Sequence, residues 1–199
     1  SASLVGSEMC IRDSNMVIDM GGGTSDIAVL SLGDIVASES VRLAGDQLNS
    51  DIAEYIKEHH GLIIGEHTAE RIKIELGTAQ KVDDPQTMEV RGRDVASGMP
   101  KQIETNENEI ADALHDTLEQ IVRASVAVLE TVPPELASDI IDRGIMLTGG
   151  TAMLHGIDKL FSDRLKVPVV VSQDPLDNVA KGAGELLERM QSDGGKNRK

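Results

Sequence analysis

The residues best suited to chemistry lie in the stretch 16–32, MVIDMGGGTSDIAVLSL, where an aspartate and a glycine-rich turn follow an apolar run. Consecutive N–H groups in such a turn form a concave anion site, and glycines let a ligand approach the backbone without a Cβ in the way. The carboxylate of Asp19 suits a hydrated Mg²⁺. The pattern therefore predicts phosphate binding beside a metal, with an ordinary hairpin turn and a solvated aspartate as the alternative. The residues of the turn are Gly21, Gly22, Gly23 and Thr24, and Ser25 follows directly.

The segments on either side of this turn have the composition of strands. Residues 16–18 predict a first strand, residues 25–32 a second and residues 34–41 a third. The glycines let the backbone reach positive φ, and Thr24 and Ser25 add hydroxyl donors. Most glycine-rich phosphate loops open a helix instead, and neither GxGxxG nor GxxxxGK[ST] is present here. A Rossmann fingerprint and a P-loop are therefore not supported.

A second glycine turn lies in residues 144–155, GIMLTGGTAMLH. Three apolar residues predict a short buried strand, Gly149 and Gly150 form the turn at its carboxyl end, and Thr151 is expected to start and cap a helix. Ligands bind at the carboxyl ends of strands in α/β sheets, so this turn is a second candidate contact with a ligand. An ordinary strand-to-helix turn is the alternative.

Between these turns, helical spacing predicts a helix over residues 45–60, with Asp46 near its start accepting backbone N–H groups. Residues 61–65 are expected to form a loop, and residues 67–77 a helix that ends at Gly77. Glu70 and Lys73 stand at i,i+3 on that second helix, where the residues alone favour an exposed ion pair of little energetic value.

The remaining segments complete an alternating α and β pattern. Residues 87–95 and 99–104 predict a hairpin, and Asn106 is placed to cap a long helix that extends to residue 131. An unbroken valine run in residues 168–171 predicts an interior strand. Further helices are predicted over residues 134–143, 156–165 and 177–190.

Composition excludes several classes of function. The formal net charge is −15, from 34 acidic against 19 basic residues, which argues against binding to nucleic acid or to an anionic membrane surface. Aromatic residues make up only 1%, so the core must be aliphatic. No apolar run approaches the roughly 20 residues that span a bilayer. The single cysteine supports no disulfide and fits a reducing cytoplasm.

Five separated segments together resemble a known family. In chain order they are DMGGGTSDIAV, RLAGDQL, ERIKIELG, LTGGTAML and AKGAG. From residue 15 to about residue 190 the sequence is similar to the second half of the bacterial actin-like, rod-shape-determining proteins of the MreB/Mbl family. The resemblance implies an α/β fold: the ribonuclease-H-like half of an actin-like ATPase, with a mixed five-stranded sheet, helices on both faces and a small inserted α+β subdomain.

The resemblance also implies a domain division. Residues 15–60 and 131–190 would form the actin-like core subdomain, and residues 61–130 the smaller inserted subdomain. Residues 1–14, SASLVGSEMCIRDS, do not fit the pattern of the rest of the chain and are expected to be a non-native or disordered leader. The polar residues 191–199 are expected to form a disordered tail.

For the site, the resemblance implies ATP or ADP with Mg²⁺. Asp19 would hold the metal through water, the first glycine turn would cradle the β- and γ-phosphates, and Gly45 would lie on the sugar and phosphate side. The helix over residues 67–77 would line the adenosine side, with its charged residues near the ribose. The residues assigned to these last two contacts are Glu70, Arg71 and Lys73 on the helix, and Gly149, Gly150, Thr151 and Ala152 for adenosine.

The function implied is that of filaments which form by self-association under the inner membrane, direct cell-wall synthesis and maintain rod shape. The partners implied are a second copy, inner-membrane proteins of wall elongation, and the membrane itself through the N-terminal half. The first phosphate loop and the catalytic Glu of the family are expected upstream of residue 15, so no catalytic residue is assigned here. A sugar or acetate kinase, a phosphatase and an Hsp70-type chaperone ATPase are the alternatives within the superfamily.

Overall fold

The structure is a computed structural model that describes residues 14–173 and residue 175. In chain order the strands are β1 (Ser14–Met20), β2 (Ser25–Ser31), β3 (Asp34–Val41), β4 (Leu62–Ile63), β5 (Thr87–Asp94), β6 (Pro100–Asn106), β7 (Ile145–Thr148) and β8 (Val169–Val171). The helices are α1 (Gly45–His60), α2 (Glu66–Leu76), α3 (Glu107–Thr131), α4 (Pro134–Arg143) and α5 (Ile157–Leu165), and a 3₁₀ helix spans Gly150–Met153. The predictions for residues 1–13, for the helix 177–190 and for the tail lie outside the described residues.

The main sheet has five strands in the order β3-β2-β1-β7-β8. β1 is antiparallel to β2 and parallel to β7, β2 is antiparallel to β3, and β7 is parallel to β8. The α/β class with a mixed five-stranded sheet is therefore confirmed. A second, three-stranded antiparallel sheet, β4-β5-β6, contains the predicted hairpin.

Alternation of apolar residues decides which face of the main sheet is buried. Met16, Ile18 and Met20 of β1 are completely buried, and Ile18 lies opposite Ile27 of β2 in the strand register. Helix α3 packs against β2 and β3, and α4 packs against β1. In the part of the chain that the structure describes, the core is aliphatic apart from Phe161 of α5, which is fully buried, as the scarcity of aromatic residues requires.

The predicted loop 61–65 and the predicted interior strand 168–171 differ from the structure. Residues 61–65 contain the short strand β4 instead of being only a loop, because Leu62 and Ile63 pair with β5 about thirty residues away in sequence. The valine run forms β8 at the edge of the main sheet among the described residues, not in its interior, and Val170 is 56% exposed. Both differences depend on which strand becomes a neighbour, and local composition does not encode that choice.

The division into subdomains stays a prediction. Helix α3, which the predicted division places in the inserted subdomain, contacts β2 and β3 of the main sheet as well as β6 of the small one. It therefore joins the two sheets through one continuous core. Among the described residues, no helix is both long enough and apolar enough to cross a membrane.

The N-terminus of α3 provides a test of the fold. The Asn106 side chain accepts hydrogen bonds from the backbone N–H groups of Asn108, at 3.0 Å, and Glu109, at 3.1 Å, so the predicted cap is confirmed. We expect Asn106→Ala to lower the free energy of unfolding by about 1 kcal/mol. Asn106→Asp keeps an acceptor and should stay close to the wild type in the same denaturation measurement. An alanine variant as stable as the wild type would contradict this role for the cap.

Candidate functional site

The first glycine turn lies between β1 and β2. The Gly21 N–H donates to the Thr24 carbonyl oxygen at 3.0 Å, and Thr24 Oγ1 donates to a carboxylate oxygen of Asp26 at 3.1 Å. Gly22 and Gly23 are exposed, and within the described residues their N–H groups donate to no backbone carbonyl. The turn therefore presents two adjacent amides to solvent at the end of β1.

Gly21, Gly22 and Gly23 do not have positive φ, although glycine would allow it. A Cβ added at any of the three would find its nearest neighbour at 3.5 Å or beyond, which is ordinary van der Waals contact. The fold itself therefore does not require glycine at these three positions.

The Ser25 hydroxyl differs from its expected role. The side chain is completely buried, and its Oγ donates to the Leu43 carbonyl oxygen at 2.6 Å. A serine hydroxyl has one hydrogen to donate, so Ser25 cannot offer it to a phosphate while this bond holds. Its contribution is to join the start of β2 to the segment that leads into α1.

The start of α1 fixes the position of the glycine turn. The Gly45 N–H donates to the Gly21 carbonyl oxygen at 3.1 Å, and the Asp46 N–H donates to the Gly22 carbonyl oxygen at 2.8 Å. The first N–H groups of a helix have no partner within the helix, so the turn satisfies two of them. Asp46 does not cap the helix as predicted, since the N-cap is Ala44 and has no side-chain bond. Its carboxylate lies instead beside the turn, 3.6 Å from where a Cβ of Gly22 would be.

The second glycine turn meets the first because β1 and β7 are parallel neighbours, with Asp19 paired to Thr148. Gly149 has φ 86° and ψ 165°, a region that is essentially reserved for glycine. A Cβ there would lie 2.3 Å from the Met20 carbonyl oxygen and 2.6 Å from an Asp19 carboxylate oxygen. Unlike the first turn, this position needs glycine for the fold itself.

The segment after Gly149 corrects another expectation. Thr151 does not start an α-helix, because Gly150–Met153 is a 3₁₀ helix with Gly149 as its N-cap. The Thr151 side chain, which is buried, donates from Oγ1 to the Gly21 carbonyl oxygen at 3.0 Å. Ala152 is buried beside it, whereas Gly150 is exposed. The two turns are thus joined by a direct hydrogen bond.

Helix α2 contributes a half-buried cation to the same cluster. Lys73 Nζ donates to the Gly45 carbonyl oxygen at 2.9 Å. Burial lowers the pKa of Lys73, and attraction to Glu70 and Asp46 opposes that shift. Arg71 instead forms a 4.0 Å ion pair with Glu75 on the exposed side of the helix. Of the three charged residues predicted on this helix, Lys73 is the one bonded to the cluster.

The Asp19 carboxylate lies at the junction of the two turns, 2.6 Å from where a Cβ of Gly149 would be. It is half-buried and lies opposite Asp26 in the β1–β2 register. Burial raises the pKa of Asp19, and repulsion from Asp26 raises it further. Within residues 14–173 and 175, no group of three or more His, Cys, Asp or Glu residues could hold a metal ion. A Mg²⁺ ion bound by Asp19 would therefore need its other oxygen ligands from water and from a ligand.

The position of Asp46 beside the turn is not predicted from the sequence. Its place directly after Gly45, where the chain enters α1, is the available signal. That signal favours a helix cap instead, because Asp is a favoured residue in the first turn of a helix.

Comparison with known proteins identifies the family. The family model described as MreB/Mbl protein matches residues 1–194. The chain belongs to the MreB/Mbl family. It is 48% identical over 185 residues to the cell shape-determining protein Mbl of Bacillus subtilis, covering 93% of this chain and 56% of that protein. It is 45% identical over 196 residues to the cell shape-determining protein MreB of Escherichia coli K12, covering 98% of this chain and 56% of that protein. The chain thus spans about half the length of the curated MreB/Mbl relatives it matches.

Solved structures agree with the family assignment. MreB5 of Spiroplasma citri bound to ADP superposes with a TM-score of 0.89 at 36% identity, covering 94% of this chain and 56% of that one. A filament structure of MamK superposes with a TM-score of 0.71 at 20% identity, which shows the fold alone. The actin-like fold predicted by the resemblance is confirmed.

Replacing Gly22 and replacing Gly149 should have different effects on the free energy of unfolding. We expect Gly22→Ala to change the free energy of unfolding by no more than about 0.5 kcal/mol, because its backbone is unstrained and the added Cβ has room. Gly149→Ala should cost about 2 kcal/mol or more, from backbone strain and from contact with Met20. Chemical denaturation without ligand measures both, and equal losses would contradict the distinction.

Asp19 predicts a specific dependence of stability on pH. Its pKa in the folded protein is raised above the ordinary value of 3.8. The stability that it contributes is therefore complete below the unfolded pKa and is lost as the pH rises through the folded pKa. Without ligand, Asp19→Asn should gain thermal stability relative to the wild type as the pH rises from the unfolded pKa of Asp19 through its folded pKa. The variant should be at least as stable as the wild type at neutral pH.

The matched control for this pH prediction is Asp34→Asn at the exposed start of β3, which makes the same change of charge. It should show no comparable gain when thermal midpoints are followed across the same pH range. An Asp19→Asn variant that is less stable than the wild type at neutral pH would contradict the argument.

Proposed function

We propose that the cluster around Gly21 binds an adenine nucleotide with Mg²⁺. In the complete protein, this chain would form part of an ATPase whose filaments determine bacterial cell shape. The phosphates would lie on the exposed amides of Gly22 and Gly23, the ribose near Lys73 and Glu70, and the adenosine against the turn at Gly149 and its 3₁₀ helix. Family membership favours this function over the kinase, phosphatase and chaperone alternatives.

The observation that carries the proposal is the contrast between the two glycine turns. Gly149 is explained by its backbone conformation and by contact with Met20. Gly22 and Gly23 have neither constraint, yet both are glycine and exposed, and their N–H groups donate to no backbone carbonyl among the described residues. A ligand that approaches the backbone directly accounts for the missing Cβ atoms, and a phosphate accounts for the amides. MreB5 of Spiroplasma citri, at 36% identity, has been solved with ADP, and in a second structure with AMPPNP.

The electrostatics of the cluster support the proposed Mg²⁺. Asp19, Asp26 and Asp46 all lie near the turn, and the chain carries a net charge of −15. Lys73 is the cation bonded within the cluster, and its charge already interacts with Glu70 and Asp46. A polyphosphate would therefore be repelled unless Mg²⁺ neutralised part of its charge. Asp19 would orient the ion through its bound water, and the turn amides would orient the phosphate oxygens.

The wider role is inferred from the curated relatives, which are named cell shape-determining proteins. We infer that the complete protein self-associates into filaments at the inner face of the cell membrane and acts with the proteins of wall elongation. The catalytic Glu and the first phosphate loop would come from outside the region described here. The residues of this chain would bind and orient the nucleotide on one side of the cleft.

Nucleotide binding by the complete protein tests the proposal. Calorimetry should show binding of ADP and AMPPNP that weakens when Mg²⁺ is chelated, with guanine nucleotides competing poorly. Gly22→Ala should lower the affinity for both adenine nucleotides tenfold or more, a loss of about 1.4 kcal/mol, because the new Cβ occupies the space of a phosphate.

Gly65→Ala is the matched control for the binding experiment. Gly65 precedes α2 with φ −85°, and an added Cβ there meets nothing within 4 Å. That variant should bind like the wild type. The proposal fails if neither nucleotide binds, or if Gly22→Ala binds both with unchanged affinity while remaining folded.

A further inference from the structure

The carbonyl oxygen of Gly21 is shared by two segments that are far apart in sequence. It accepts the Gly45 N–H at 3.1 Å and Thr151 Oγ1 at 3.0 Å. The first bond comes from the start of α1, and the second comes from the turn after β7. The peptide that begins the glycine turn is therefore held from both sides.

Packing around Gly45 shows how closely these groups fit together. A Cβ added at Gly45 would lie 3.3 Å from each of three atoms: the Gly21 carbonyl oxygen, Lys73 Nζ and Thr151 Oγ1. Lys73 holds the Gly45 carbonyl oxygen at 2.9 Å. A displacement of the Thr151 side chain would therefore be transmitted directly to the peptides that carry the exposed amides.

We propose that Thr151 is a positioning residue for the phosphate-binding turn, and that it acts through Gly21 and not by donating a hydrogen bond to adenosine. Its side chain is buried, and the single hydrogen of its hydroxyl is already donated to Gly21. The proposal rests on the proposed nucleotide site and assigns Thr151 a different role there from the adenosine contact that the family resemblance implies.

A positioning role and a direct contact with adenosine differ in their effect on ligands. If Thr151 holds the turn, its loss should weaken only those ligands whose phosphates bind the turn. If Thr151 contacts adenosine, adenosine itself should lose as much affinity as ADP. The dependence of the effect on the number of phosphates therefore distinguishes the two roles.

The test compares Thr151→Val, which keeps the shape but lacks the donor, with Thr151→Ser, which keeps the donor. Affinities of the complete protein for Mg·AMPPNP, Mg·ADP and adenosine are measured by competition against a fluorescent adenine nucleotide. Thr151→Val should weaken AMPPNP and ADP about three- to tenfold, the range expected for one hydrogen bond, and change adenosine less than about twofold. Thr151→Ser should restore the affinities for AMPPNP and ADP to nearly those of the wild type.

Thr117→Val is the matched control for a lost buried hydroxyl. Thr117 on α3 is buried, and its Oγ1 donates to Asp51 at 2.5 Å. Its loss should lower the thermal midpoint without changing nucleotide affinity. The inference is overturned if Thr151→Val leaves all three affinities unchanged, or if it weakens adenosine by the same factor as ADP. A wild type that binds neither nucleotide would instead overturn the proposed function, which is a separate outcome.

Discussion

The parallel pairing of β1 with β7 is the constraint on which the candidate site depends. It places the carboxyl ends of two strands, more than one hundred residues apart in sequence, at the same edge of the sheet. The approach is close enough that Gly149 has no room for a Cβ next to Met20 and Asp19. Once the two ends meet, Thr151 reaches the Gly21 carbonyl, and the start of α1 closes the cluster from a third direction.

In the first glycine turn, the carbonyl groups are held by hydrogen bonds and the amides of two glycines stay exposed. The carbonyl oxygens of Gly21 and Gly22 face inward and accept hydrogen bonds from α1, so the peptides of the turn are oriented by the protein. The opposite edges of those peptides direct the Gly22 and Gly23 amides outward. Backbone groups that are exposed but held in place can bind an anion with little loss of conformational freedom, which is the physical basis of preorganised binding sites.

The carboxylates around the first glycine turn affect which ligands can bind there. Carboxylates surround an amide cradle in a chain that is itself strongly acidic, so a bare anion and the protein would repel each other. Burial and Asp26 raise the pKa of Asp19, and the folded protein therefore bears a cost for keeping that carboxylate ionised. A divalent cation at Asp19 would remove this cost and attract the ligand at the same time. The same residue would then be unfavourable for the ligand-free fold and favourable for binding.

The sequence by itself determined the strands around the first glycine turn, the helix 45–60, the small-sheet hairpin and the Asn106 cap, because local periodicity and turn chemistry encode them. It also indicated both glycine turns, whereas for Lys73 the residues alone favoured an exposed ion pair with Glu70, and the structure bonds Lys73 to the Gly45 carbonyl oxygen. Only the tertiary structure decided that the Ser25 hydroxyl donates to the Leu43 carbonyl oxygen and that the Thr151 hydroxyl donates to the Gly21 carbonyl oxygen. It also decided that Asp46 lies beside the turn instead of capping α1. A hydroxyl or carboxylate can satisfy many partners, and which one it meets depends on the packing of segments distant in sequence. For the same reason, the sequence could not distinguish the glycine that the fold requires at 149 from those that it leaves free at 21–23.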